Sequence, residues 1–367
     1  MEKLEVISFD NIKIKENSYQ LLTQLLSKET HLNFEYYQRN FIERRIKARM
    51  IRVKCQRLDD YYNYLLSNPS EIQKFLDNFN INYTYFFRNF TIFERFQELI
   101  LKSIHYKGNK ILGDLTPKLS EKIKKRVKSR KNRYPKKRLV NTDFKKWHHE
   151  VSTSQINKLR EQLDFKEAES KGIPYLKQTS LYNKINNVSG SSKTPIYIWS
   201  CPCASGEEPY SIAMIMDNLK SQFSNFPNYT IVASDIDSTA IYKAKAGVYN
   251  DDSTKELSIY YEDKYFTKTK NYFGFNYTIN EKIKNDVELI TEDVTKGHRN
   301  PLKYDIIFCR YLLIYINREK RDKFLKIIEN RLNFGGLLIL GKTETLFKVH
   351  NGFKLVDAKN HIYIKTN

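Results

Sequence analysis

At 367 residues and 40% hydrophobic content the chain can fill more than one core, and no stretch approaches the roughly 20 apolar residues of a membrane span. Its formal net charge of +21 suggests a nucleic-acid binder until the charge is located. Counted along the sequence, about +3 lies in residues 1–106, about +15 in residues 107–193 and about +3 in residues 194–367, so one block carries the excess.

The N-terminus MEKLEVISFDNIKIKE has no apolar signal core, and a cytoplasmic protein is the expectation. Residues 18–101 show apolar positions at three- and four-residue spacing, such as Leu21, Leu22, Leu25 and Leu26, then Ile42, Ile46, Met50 and Val53, which predicts a small helical domain. Within it, Arg45, Arg49 and Arg52 recur at helical spacing, a basic stripe suited either to solvent or to an acidic partner helix.

Residues 102–193 read as an insertion: KLSEKIKKRVKSRKNRYPKKR, a mixed stretch with possible helix at 154–170, then the linker-like NKINNVSGSSKTP. From residue 194 strands and helices alternate. IYIWS, YTIVASD, YDIIFCR and GGLLILG predict buried strands, and EEPYSIAMIMDNL, STAIYKAKAG and REKRDKFLKIIENRL predict the helices between them. The fold class is therefore α/β, a doubly wound sheet, with FKLVDAKNHIYIK closing it as a hairpin and Gly335 and Gly336 expected to stop the last long helix.

Strand IYIWS runs into CPCASGEEPYSIAM, the first βα turn, where such sheets bind nucleotides. No phosphate loop of the GxGxxG or GxxxxGKS type is present, and Glu207 and Glu208 would repel a pyrophosphate. A cationic cofactor without phosphates fits better, and S-adenosylmethionine carries both an ammonium and a sulfonium. Asp235, at the tip of the next strand, can accept hydrogen bonds from ribose hydroxyls. Cys55, Cys201, Cys203 and Cys309 form neither a disulfide ladder nor a paired Cys-x-x-Cys zinc pattern, so no metal is expected.

Five ordered segments, NYTYFFR (82–88), WSCPCASGEEPYSIAM (199–214), ASDID (233–237), AKAGVY (244–249) and YDIIFCRYLLIYI (304–316), resemble the chemotaxis-receptor glutamate methyltransferases, the CheR family. The resemblance implies an N-terminal all-α substrate-recognition domain (1–101) and a class I, Rossmann-like methyltransferase domain (194–367). It also implies a small β-subdomain near residues 255–290. By position it assigns Asn82, Thr84 and Arg88 to an interdomain segment touching the cofactor, with Arg88 close to the reacting groups. Glu208 falls to the cofactor's amino group, Asp235 to its ribose, and Asp293 and Val294 to its adenine. Arg310, Tyr311 and Tyr315 fall in the strand-end motif beside the acceptor pocket, Arg310 and Tyr311 as further cofactor contacts and Tyr315 as a second catalytic candidate.

The implied activity is transfer of a methyl group from S-adenosylmethionine to glutamate carboxylates of chemoreceptor helices, leaving S-adenosylhomocysteine. The Arg45, Arg49 and Arg52 stripe would then face the receptor, a receptor tail peptide would meet the β-subdomain, and no nucleic acid or membrane insertion is expected. Three departures stand out: Tyr311 and Asp293 where the family usually has Asn, and Lys342 in GKTE where GHSE is common. The alternatives are a class I methyltransferase for RNA or a small molecule, which lacks support from an NPPY-like motif where FCRYLLIY stands, and a non-catalytic adaptor.

Overall fold

The computed structural model describes residues 12, 14–30, 32–79, 83–105, 175–186, 194–223, 226–296, 302–346 and 352–366. Four helices form the N-terminal unit: α1 (Glu16–Thr30), α2 (Arg39–Arg52), α3 (Leu58–Ser67) and α4 (Ser70–Phe79). Their periodic apolar positions meet in one core containing Leu22, Leu26, Ile42, Ile46, Met50, Tyr61, Phe75 and Phe79. Helix α5 (Phe90–His105) then leads toward the second unit. The possible helix at 154–170 lies outside the described residues.

The main sheet is built from β1 (Ile196–Ser200), β2 (Tyr229–Asp235), β6 (Val287–Thr291), β7 (Tyr304–Cys309), β8 (Leu332–Leu340), β9 (Phe353–Asp357) and β10 (Ile362–Lys365), in the order β6-β2-β1-β7-β8-β10-β9. The first five run parallel, and β10 pairs antiparallel with both β8 and β9. Both faces are covered, which is why these strands are nearly continuous apolar runs. Ile306 and Phe308 of β7 and Leu337 and Ile339 of β8 enter one core, whereas Ile307, Cys309, Leu338 and Leu340 enter the other.

Between strands lie α7 (Glu207–Gln222), α8 (Ser238–Ala246) and α11 (Arg318–Arg331). A separate three-stranded sheet, β3 (Val248–Tyr249), β5 (Gly274–Ile279) and β4 (Phe266–Asn271), is flanked by α9 (Ile259–Tyr265) and α10 (Glu281–Asn285). Its strands span 248–279, earlier in the chain than the expected 255–290. Among the described residues no helix is long and apolar enough to cross a membrane.

Two expectations are corrected. The chain expected to be insertion through residue 193 rejoins the core before that point: a short turn at Leu176–Gln178 and α6 (Ser180–Asn186) bury Tyr175, Leu176, Leu181 and Ile185. Lys184 of α6 pairs at 2.8 Å with the fully buried Asp305, which also accepts hydrogen bonds from the Tyr197 amide and the Asn333 side chain. Nor do Gly335 and Gly336 stop a helix. Helix α11 ends at Arg331 and β8 starts at once, with Gly335 inside the strand at φ +71°. A Cβ there would fall 2.2 Å from the Gln178 carbonyl oxygen, so the glycine lets the 178–180 chain lie against β8.

Candidate active site

Three acidic residues converge at the carboxyl ends of β1, β2 and β6, on the side where the strand order reverses and open α/β sheets bind ligands. The turn after β1 is tied to the β2 tip by two bonds: the Cys203 amide donates to the Ser234 carbonyl at 3.0 Å and the Ala204 amide to Asp235 Oδ2 at 2.8 Å. Ala204 and Gly206 both take left-handed backbone, at φ +47° and +94°. Gly206 has no room for a side chain, since a Cβ would come within 2.9 Å of Ala244 and Tyr210.

Glu208 lies in the first turn of α7, and its two oxygens accept from Ser200 Oγ at 2.8 Å and from Arg310 Nη1 at 2.7 Å. A carboxylate has about four acceptor positions, so Glu208 keeps capacity for an ammonium. Glu207 points elsewhere: it accepts from Ser205 and Ser253, and burial raises its carboxyl above the ordinary range. Asp235 also accepts from the Asp237 amide at 2.9 Å, and burial pushes its pKa up to about 6. Asp293 uses Oδ1 for the Thr295 amide and hydroxyl. Its buried Oδ2 has no hydrogen-bond donor among the described residues, and Lys296 Nζ stands 3.8 Å away.

That acceptor set tests the cofactor. S-adenosylmethionine presents an ammonium, ribose hydroxyls and an adenine amino group, all donors, and the orphaned Asp293 oxygen matches the last of them. Val294, buried next to it, supplies apolar surface for a base.

The segment before α5 forms the opposite wall. Phe86 and Phe87 are buried, the Phe87 amide donating to Ser211 Oγ at 2.9 Å, while Phe87 and Asn89 take left-handed backbone. Arg88 is thereby turned toward β7: its guanidinium carbon lies 3.8 Å from the Tyr311 ring centroid, and Nη1 donates to the Tyr83 carbonyl at 2.6 Å. Thr84 is half-buried in the same segment, and Asn82 lies outside the described residues. Arg310 is almost fully buried and links the walls, donating through Nη1 to Glu208 and through Nη2 to the Arg88 carbonyl and Asn89 Oδ1.

Tyr315 faces the helical domain. Its ring packs 4.8 Å from Phe41, its carbonyl accepts from the Gln38 amide, and Gln38 Nε2 donates to the neighbouring Ile314 carbonyl. Arg45 joins it, with the guanidinium 5.2 Å from the Phe41 ring centroid and close enough to Tyr315 for each charge to act on the other. Partial burial raises the Tyr315 phenol, so at neutral pH it is a proton donor in a hydrogen bond.

The expected arginine stripe does not hold as a surface. Arg49 turns inward and makes a two-pronged ion pair with buried Glu71, both contacts at 2.7 Å, which Tyr61 supports. Arg52 is exposed and Arg45 half-buried beside Tyr315, so α2 points its three arginines in three directions.

Two residues not singled out from sequence organise this wall. Asn89 receives Arg310 and also the Tyr311 hydroxyl. Glu344, buried, accepts from the amides of Tyr311, Gly341 and Ile314 and so shapes the turn after β7. Lys342, two residues before Glu344, is exposed.

Family models match two parts of the chain: the CheR methyltransferase SAM-binding domain over residues 165–362 and the CheR methyltransferase all-alpha domain over residues 17–79. Among curated relatives, the chemotaxis protein methyltransferase of Vibrio parahaemolyticus serotype O3:K6 (strain RIMD 2210633) is 31% identical over 194 residues, covering 51% of this chain and 68% of the relative. The protein of that name from Vibrio anguillarum is 31% identical over 182 residues (48% and 63%). Chemotaxis protein methyltransferase 1 of Vibrio cholerae serotype O1 (strain ATCC 39315 / El Tor Inaba N16961) is 29% identical over 194 residues (51% and 68%).

Proposed function

This chain belongs to the CheR methyltransferase family, and from that premise we propose that it transfers methyl groups from S-adenosylmethionine to glutamate carboxylates on the cytoplasmic helices of chemoreceptors. The observation that carries this reading is the meeting of an Asp293 oxygen that has no donor among the described residues, Asp235 and Glu208 on one wall with Arg88, Arg45 and Tyr315 on the other. One wall accepts hydrogen bonds and the other supplies cations and a phenol donor. That division suits a donor-rich cofactor facing an anionic acceptor.

S-adenosylmethionine, when bound, supplies an electrophilic methyl group on a sulfonium. The acceptor needs no general base, because a glutamate with an ordinary pKa of about 4.3 is already ionised at neutral pH. Attack by the acceptor carboxylate would form the ester O–C bond as the cofactor's C–S bond broke, with no proton transfer needed. The protein's work is therefore placement and exclusion of water, effects worth roughly 7–11 kcal/mol when geometry is good.

Glu208, Asp235 and Asp293 with Val294 would hold the amino, ribose and adenine parts. Arg310 would act through Glu208, fixing its carboxylate and the 88–89 backbone. Arg88 and Arg45 would orient the incoming carboxylate, with Tyr315 donating to it. Exposed Arg52 extends the positive surface of α2 toward an acidic receptor helix, and the small sheet β3-β5-β4 offers its β4 edge to a receptor tail segment.

Incubation with S-adenosylmethionine and receptor-rich membranes, followed by peptide mass spectrometry, tests the proposal. One added methyl on receptor glutamates is expected. Methyl on lysine, on RNA or on no macromolecule would overturn it, the second outcome favouring an RNA methyltransferase.

A further inference from the structure

We propose that Tyr311 is a positioning residue for Arg88, the aromatic floor that fixes the plane of the guanidinium and leaves its edge available to an acceptor carboxylate. This inference rests on the methyltransferase reading above. The Arg88 guanidinium carbon is 3.8 Å from the Tyr311 ring centroid, close enough for direct stacking, and Tyr83 lies on it more loosely at 5.4 Å. A guanidinium stacked by its face keeps its N–H groups in plane for hydrogen bonding. Nη1 is used by the Tyr83 carbonyl, whereas Nε and Nη2 have no hydrogen-bond partner among the described residues.

The Tyr311 ring is itself held at its hydroxyl, its amide and one edge. Its hydroxyl donates to Asn89 Oδ1, the residue next to Arg88, so both ends of the stack share one anchor. Its amide donates to Glu344 Oε2 at 2.6 Å. Gly341 lies along the ring edge, where a Cβ would come within 3.2 Å of two ring carbons. Tyr311 adopts φ +62°, left-handed backbone that a bulky residue rarely takes. A conformation of that kind persists only where its surroundings enforce it, and here the Glu344 carboxylate does so.

Asparagine tolerates left-handed backbone, so Tyr311→Asn removes the ring without disturbing the turn. With receptor-rich membranes as acceptor, Tyr311→Asn is expected to lower kcat/KM for the acceptor about tenfold or more, as misplacement of a catalytic group does, with the cofactor Kd within about twofold of wild type. Tyr311→Phe keeps the stack and recovers most of that loss. A purely structural tyrosine would lower cofactor affinity and turnover together.

The stack is also read without turnover: in protein labelled with nitrogen-15 arginine, the Arg88 Nε–H signal, assigned by its loss in Arg88→Lys, should be displaced upfield by the Tyr311 ring current. It should keep that shift in Tyr311→Phe and lose it in Tyr311→Asn, or in Tyr311→Leu if the asparagine variant does not fold. An unmoved signal, or equal loss of cofactor affinity and turnover, overturns the inference. Absence of methyl transfer by wild type would defeat the broader functional reading, and the arginine signal would still decide the role of Tyr311.

Discussion

Burial holds the Asp235 carboxyl at about 6 although two backbone amides donate to it, and this has consequences of opposite sign for folding and for binding. Between its ordinary value of 3.8 and about 6 the folded chain keeps a proton that the unfolded chain has released, so the stability contributed by this group falls as pH rises through that window. Cofactor hydroxyls need the ionised acceptor, so S-adenosylmethionine affinity should drop as pH falls from 7 through about 6. Titration calorimetry between pH 5 and 8 checks this, and Asp235→Asn should flatten that step. At pH 7.5, Asp235→Ala or Glu208→Ala should each weaken binding at least about tenfold, equivalent to about 1.4 kcal/mol. Asp235 could be singled out from its strand-tip position, whereas choosing Glu208 over Glu207 needed the family resemblance, since both glutamates share the first helical turn. Asn89 and Glu344 were not legible, since their partners lie 221 to 222 and 30 to 33 residues away in the chain.

Helix α2 shows how an element defeats a reading by spacing alone. Three arginines at one helical interval imply one face, but Arg49 finds Glu71 on α4 and turns into the core, an arrangement that depends on how two helices pack. Removing its partner strands a buried cation, so Glu71→Ala should destabilise the helical domain by about 3–5 kcal/mol, whereas exposed Arg52→Ala should change stability by less than about 0.5 kcal/mol. Urea denaturation followed by helix ellipticity measures both. Strands were easier to read: a sheet covered on both faces writes itself as unbroken apolar runs, and β2 spans the predicted YTIVASD segment. Gly335 was misread because a glycine after a helix usually ends it, while here the demand comes from residues 178–180 pressed against β8. Gly335→Ala adds a Cβ at a left-handed position 2.2 Å from a carbonyl oxygen and should lower the unfolding free energy by more than about 1 kcal/mol, read as a lower denaturation midpoint.

At the scale of the molecule, the helical domain closes over the carboxyl ends of the sheet. The Gln38 side chain and backbone bond to the turn carrying Tyr315, and Ile236 and Tyr315 pack against the helical core. This contact brings Arg45 beside Tyr315, a meeting that no single segment of sequence predicts. Reversing charge at Arg45 and Arg52 should therefore reduce methyl transfer to receptor membranes while leaving cofactor affinity intact, and equal loss of both would mark a folding defect instead. The +15 block of residues 107–193 is set apart in sequence from every residue of the site, so the net charge says little about the chemistry. Carboxylate methylation leaves an ester, and esters differ from N-methyl groups in their sensitivity to mild alkali. Receptor-rich membranes labelled by the protein with radioactive S-adenosylmethionine should release their label as volatile methanol after brief treatment at high pH. Label that stayed bound to the protein fraction would contradict carboxylate methylation.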